Sequence, residues 1–149
     1  MFQPALECGM RNSECGIENA VFLTPLGWAG VCVSDSGVCR VILPKKDRKA
    51  VEKELKHAMS ALPHGASGIL KQAVKLLRRY FSGQRVAFDL PFDMRYYTVF
   101  QQAVWKASAE IPYGETRSYG WIATRVRNSR AARAVGQAMG ANPVPIIIP

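Results

Sequence analysis

No cysteine occurs after Cys39, and histidine is limited to His57 and His64. The four cysteines (Cys8, Cys15, Cys32, Cys39) crowd the first third of the chain without forming a Cys-x-x-Cys pair. That spacing excludes the signatures of a zinc ribbon and of a thioredoxin-type redox site. The cysteines read as free thiols of a cytosolic chain, with Cys32 and Cys39 as half-buried strand residues. The residue types for a zinc site are present in Cys8, Cys15, Cys39 and His57 or His64, but the spacing is not that of a known ligand set, and no metal or cofactor is expected. No apolar run is long enough to cross a bilayer. The N-terminus, MFQPALECGM, has no basic segment followed by an apolar core, so the expected location is cytoplasmic, with no membrane partner. Internal repeats and low-complexity tracts are also missing.

Negative charge is in short supply: 11 Asp and Glu stand against 20 Lys and Arg, a formal net charge of +9. Such a balance suits a polyanionic partner through counterion release, although it also serves plain solubility. The basic residues fall in three groups, Lys45 to Lys56, Lys71 to Arg85 and Arg117 to Arg133. Only the third coincides with a pattern suited to reading DNA. An apolar fraction of 48% and a charged fraction of 21% over 149 residues are those of a folded chain with one domain or two small ones.

Periodicity predicts an α+β chain. Residues 1–18 lack a pattern and read as a loose arm. Ala20 to Leu43 alternates as two strands around Ser-Asp-Ser-Gly, with an earlier Pro-Leu-Gly turn. Asp47 to Met59 has helical spacing, with Val51, Leu55 and Met59 on one face and Asp47 as a cap. His64 to Gly68 reads as a loop, Ser67 to Phe81 as a second helix ended by Ser82-Gly83, and Arg85 to Leu90 as a strand broken by Pro91. From there the pattern is helical: Tyr97 to Ala109 with Val99, Phe100, Ala103, Val104 and Ala107 inward, then Ser118 to Val126 and Arg130 to Met139. A tight turn, Arg127 to Ser129, joins the last two helices in the outline of a helix-turn-helix. Val144 to Ile148 reads as an apolar strand. The composition shifts near Pro91, so the expected division is 1–18 arm, 19–92 α/β domain and 93–149 helical domain.

Four residues stand out in the second half. Arg133 lies among Ala131, Ala132, Ala134 and Gly136, small neighbours that would let a helix approach DNA closely. By itself it reads as a solvated helix arginine. Tyr119 opens the preceding helix, where an aromatic is otherwise a half-buried core residue. Asn128 sits in the turn between the two helices, a position that also suits a plain cap. Asn142 precedes Pro143, and Pro143 and Pro145 restrict the backbone around it.

Taken together, FQQAVWKA, IPYGETRSYG and SRAARAVGQAMGANPVPIIIP resemble the DNA-binding half of the O6-alkylguanine-DNA alkyltransferases, strongly from about Phe100 to Pro149. Earlier in the chain the best echo is Thr24-Pro25-Leu26-Gly27. The resemblance implies an N-terminal RNase-H-like domain followed by a winged helix-turn-helix domain. The implied function is repair of double-stranded DNA containing O6-alkylguanine, by transfer of the alkyl group to a protein nucleophile, in a monomer. It implies that Arg133 fills the stack left by an extruded nucleotide, that Tyr119 crowds the target phosphate, that Asn128 contacts DNA and that Asn142 is a hinge. Arg125, Arg127 and Arg130 would meet phosphates. Gly120 departs from the family's usual polar residue.

In the family the nucleophilic cysteine directly follows the Ile-Pro of this motif, and no cysteine or histidine of the second half can replace it. As written, the chain is therefore expected to have no catalytic residue and to be inactive. The expectation for the next codon is UGA read as selenocysteine, against a nonsense mutation, a pseudogene or an edited gene. The apolar run Val144 to Ile148 is expected to lie exposed and to make the chain poorly stable. Two other functions stay open: a damage binder that flips alkylguanine without repairing it, and a general nucleic-acid-binding domain.

Overall fold

The computed structural model describes residues 18–59 and 68–149. The chain divides into two compact units, Met1–Asp93 and Met94–Pro149.

The first unit is built on an antiparallel meander of β1 (Glu18–Thr24), β2 (Gly27–Ser34) and β3 (Gly37–Lys45). The two strands expected between Ala20 and Leu43 are thus three. The Pro-Leu-Gly turn is a hairpin connection, because Thr24 Oγ1 accepts from Leu26 N at 3.2 Å and donates to the Gly27 carbonyl at 2.8 Å. Glu18, assigned to the arm, begins β1; the rest of the arm and most of the His64 to Gly68 loop lie outside the described residues. Two helices follow, α1 (Arg48–Met59) and α2 (Ile69–Phe81). Lys49 N donates to Asp47 Oδ1 at 3.0 Å, the cap that Asp47 signalled.

Neighbouring residues on a strand face opposite sides of a sheet. Val21, Cys32, Cys39 and Ile42 pack with Val51 and Leu55 of α1. A Cβ on Gly30 would lie 2.7 Å from Val51 Cγ1, so only glycine lets α1 lie this close. On the other side Phe22 sits under the Arg78 guanidinium of α2 at 5.6 Å. The sheet is therefore covered on both faces. Cys32 and Cys39 are fully buried rather than half-buried, since the central strand has a helix above and below. Their sulfurs are 3.2 Å apart, and the Cys39 thiol also donates to the Cys32 carbonyl. The hydrogen bond with Cys32, followed by burial, pushes the Cys39 thiol well above its ordinary value.

No ladder forms at Arg85 to Leu90. Burial alternates there as in a strand, with Val86 and Leu90 buried and Ala87 and Asp89 exposed. Only at the end of the segment does the backbone reach β3, where Val38 N donates to the Pro91 carbonyl at 2.8 Å and Asp93 N to the Val38 carbonyl at 2.9 Å. Gly37 (φ 143°) makes this possible, because a Cβ there would stand 2.3 Å from the Pro91 oxygen. Buried Ser34 and Asp93 close the junction at 2.6 Å.

The second unit holds α3 (Val99–Ala109), α4 (Tyr119–Arg125) and α5 (Ala132–Gly140). Thr98 and Gln101 form a capping box. Val99, expected inward, is 85% exposed, because the first residue after that cap turns to the outside. Trp105 is fully buried and donates from Nε1 to the Ala138 carbonyl at 2.9 Å, pinning α3 to α5.

The run Val144 to Ile148 is neither a strand nor exposed. It curls, with Ile146 at φ 77°, and Val144, Ile147 and Ile148 are buried. Asn142 accounts for the curl: Oδ1 accepts from Val144 N and Nδ2 donates to the Ile148 carbonyl, both at 3.0 Å. The prolines at 143 and 145 remove two donors that a ladder would need. No described helix is long and apolar enough to cross a membrane.

Candidate nucleic-acid interface

Helices α4 and α5 and their connection make the helix-turn-helix. Ser118 begins it by accepting from Trp121 N at 3.1 Å, a side-chain cap on an otherwise short helix. The turn is closed by Arg127 at φ 58°, a left-handed conformation uncommon for a residue with a side chain. Asn128 N donates to the Ala123 carbonyl, and the Asn128 carbonyl accepts from Ala131 N, each at 2.9 Å. Asn128 thus holds the turn by its backbone and leaves its side chain exposed.

Arg133 is exposed one residue into α5. Residues three apart share a helix face, so Gly136 lies on the Arg133 side. A Cβ at Gly136 would be 3.2 Å from Tyr119 Cε2 and 3.3 Å from Cδ2. The tyrosine ring therefore lies against the bare backbone of α5, and it remains 51% exposed. Tyr119 and Arg133, fourteen positions apart in sequence, are in this way brought to one surface. Asn142 stands apart from it, as the tie that shapes residues 142–148. Its side chain bonds span only that segment, while Ser108 Oγ on α3 donates to the Pro149 carbonyl at 2.9 Å.

The second unit is also basic in composition. In the second unit Arg95, Lys106, Arg117, Arg125, Arg127, Arg130 and Arg133 face only Glu110 and Glu115. Cys32 and Cys39 belong to the core of the first unit, and His57 is exposed at the end of α1. No group of three or more His, Cys, Asp or Glu that could hold a metal occurs among the described residues. The role of Gly136 as the seat of Tyr119 was not read from the sequence. The small residue three positions after Arg133 was a signal that could have suggested it.

A three-stranded sheet between helices, followed by a basic helix-turn-helix that presents an aromatic and an arginine together, defines a DNA-binding protein class with an α/β companion unit. The DNA-binding domain model of 6-O-methylguanine DNA methyltransferase matches residues 99–149, and that of the ribonuclease-like domain of the same enzyme matches residues 19–94. The chain belongs to the 6-O-methylguanine DNA methyltransferase family. The constitutive methylated-DNA–protein-cysteine methyltransferase of Bacillus subtilis is 38% identical over 126 residues, covering 85% of this chain and 73% of the relative. The methylated-DNA–protein-cysteine methyltransferase of Mycobacterium tuberculosis (strain H37Rv) is 54% identical over 82 residues, covering 55% and 49%. The chain thus spans about half the length of several curated relatives that it matches. The crystal structure of M. tuberculosis O6-methylguanine methyltransferase aligns with a TM-score of 0.67 at 36% identity, over 89% of this chain and 75% of that one. The structure of M. tuberculosis OGT in complex with DNA aligns with a TM-score of 0.66 at 37% identity, over 88% and 74%.

Proposed function

We propose that this protein acts in repair of O6-alkylguanine in double-stranded DNA, by extruding the damaged nucleotide for transfer of its alkyl group to a protein nucleophile. The observation that carries this reading is the seating of the Tyr119 ring on Gly136 beside Arg133. A buried base must leave the duplex before its O6 can be attacked, and the vacated stack must be filled. Tyr119 would press on the target phosphate while Arg133 enters the stack from α5. Asn128 would contact the strand beside the turn, and Asn142 would be the hinge that shapes residues 142–148 after the recognition helix. The working division is an α/β domain over 19–92 and the DNA-binding domain from 93 onward, in a monomer located in the cytoplasm.

A second reading is favoured by one observation. All four cysteines precede Cys39 or are Cys39 itself, and the two described are buried in the first unit. A polypeptide of these 149 residues would then bind and flip alkylguanine without accepting its alkyl group. Two measurements separate the readings. Affinity is compared for duplexes with and without O6-methylguanine, and the protein is weighed by mass spectrometry afterwards. Tighter binding of the lesion duplex is the expected result. A gain of one methyl mass supports transfer, and no gain supports flipping alone. Equal affinity for both duplexes refutes damage recognition and leaves a general DNA-binding domain.

A further inference from the structure

We infer that Arg117 and Arg125, both held over the Trp121 ring, form a clamp for DNA backbone phosphates at the first helix of the helix-turn-helix. The clamp rests on the DNA-binding reading above and adds a second contact surface to the recognition helix.

Trp121 and Arg125 are four apart on α4 and so share one stripe of the helix, while Arg117 reaches the same ring from the residue before the Ser118 cap. The Arg117 guanidinium carbon lies 5.7 Å from the Trp121 ring centroid, and that of Arg125 lies 5.2 Å from it. Two like charges converging on one indole is not what solvated arginines do, since they repel and lose rotamer freedom by meeting. The negative face of the ring attracts each guanidinium and holds it there. Trp121 is itself fixed: it is half-buried, and its backbone N–H is bound by Ser118.

A guanidinium held over a ring keeps N–H edges for hydrogen bonds. In the free protein those edges are taken by carboxylates, Arg117 by Glu115 and Arg125 by Glu110. Both glutamates are about half exposed. Exposed pairs of this kind are weak and exchange readily, whereas a phosphate offers the same two-oxygen geometry as part of a dense line of charge. The glutamates thus keep the arginines ordered until a phosphate replaces them. A duplex fits better than an acidic peptide, because the first helix of a helix-turn-helix crosses the phosphate backbone. Arg127, Arg130 and Arg133, all exposed, follow it through the turn and into the recognition helix.

Phosphate contacts position a protein without reading bases. The clamp should therefore raise affinity equally for damaged and undamaged DNA. The test measures affinity of the 149-residue protein for both duplexes over a salt series. The double variant Arg117→Gln/Arg125→Gln is expected to lower the slope of log K against log salt by about 1.8, at about 0.9 per phosphate contact. Its preference for the lesion should be unchanged. Trp121→Leu keeps both charges and should weaken binding to both duplexes about fivefold, the ordering cost of a released long side chain, with Trp121→Phe recovering part of the loss. An unchanged salt slope in the double variant overturns the clamp, as does a loss confined to lesion preference. If the unsubstituted protein shows no lesion preference, the repair reading fails, while a reduced slope on plain duplex still supports the clamp.

Discussion

Replacing Gly136 with alanine sets two effects against each other in one helix. The added methyl would stand 3.2 Å and 3.3 Å from two carbons of the Tyr119 ring, closer than the 3.5 to 4.0 Å at which carbon contacts are favourable. The backbone of α5 is braced by the Trp105 bond to Ala138, so the ring is the part that gives way. Being 51% exposed, it can swing outward by a few tenths of an ångström at small cost. Against that stands the gain from alanine in a helix interior, about 0.8–1 kcal/mol relative to glycine. The stability balance is therefore neutral to favourable, and the melting temperature should hold or rise by up to about 4 °C. The displaced ring, however, no longer sits where the proposed mechanism requires. The assay pairs a thermal melt with fluorescence of 2-aminopurine placed opposite the lesion, which brightens when the target nucleotide leaves the stack. The expected result is an undiminished melt with weakened extrusion. Wild-type extrusion in a Gly136→Ala protein would refute the idea that this glycine places Tyr119. A large loss of stability would refute the claim that the ring can yield.

Two further expectations concern stability. Asn142→Ala removes the two hydrogen bonds to Val144 and Ile148, about 2 kcal/mol at about 1 kcal/mol each. Chemical denaturation should show that loss, and limited proteolysis should cut the 142–149 segment faster; no change in either contradicts the role of Asn142 in curling it. Cys39 should make stability fall in alkali. Its folded-state pKa is raised, so above the ordinary thiol value of 9.0 the unfolded chain loses a proton that the folded chain keeps. Stability then declines by about 1.4 kcal/mol per pH unit, and Cys39→Ala should flatten this decline between about pH 9 and 10 in denaturant titrations. An identical decline in the variant would count against the buried thiol as its source.

The elements that were legible in the sequence are those whose signals are local. Asp47 announced a helix start by its side chain, the helix read from Ser118 onward does begin at that residue, which is its cap, and Gly83 ended α2 as expected. Arg85 to Leu90 misled because alternation records which side chains are buried and not whether a neighbouring strand has groups left to pair. Val144 to Ile148 misled for a related reason: a short apolar run specifies burial, while Asn142 and two prolines decided its shape. Val99 was misplaced because the helix begins there and not at Tyr97: Thr98 is the cap, and the first residue after it turns to the outside while Val104 and Ala107 keep the expected face. Among the site residues, Tyr119 and Arg133 could be named from the motif, but the contact through Gly136 that joins them depends on how α4 crosses α5. The Ser34–Asp93 bond was out of reach, since nothing local to either residue marks its partner.

That bond carries a consequence for synthesis of the chain. Its partners are separated by 59 residues, and the Val38 bonds to Pro91 and Asp93 bridge a similar interval. The hairpins can form early, but the closing contacts of the first unit require the chain as far as Asp93, the last residue before the second unit begins. Domains emerging from a ribosome fold as units, the N-terminal one first. Here the final stitch of the first unit is delivered as its own last residue, so a nascent chain stopped a few residues short of Asp93 would have its strands and both helices yet leave Ser34 without its carboxylate.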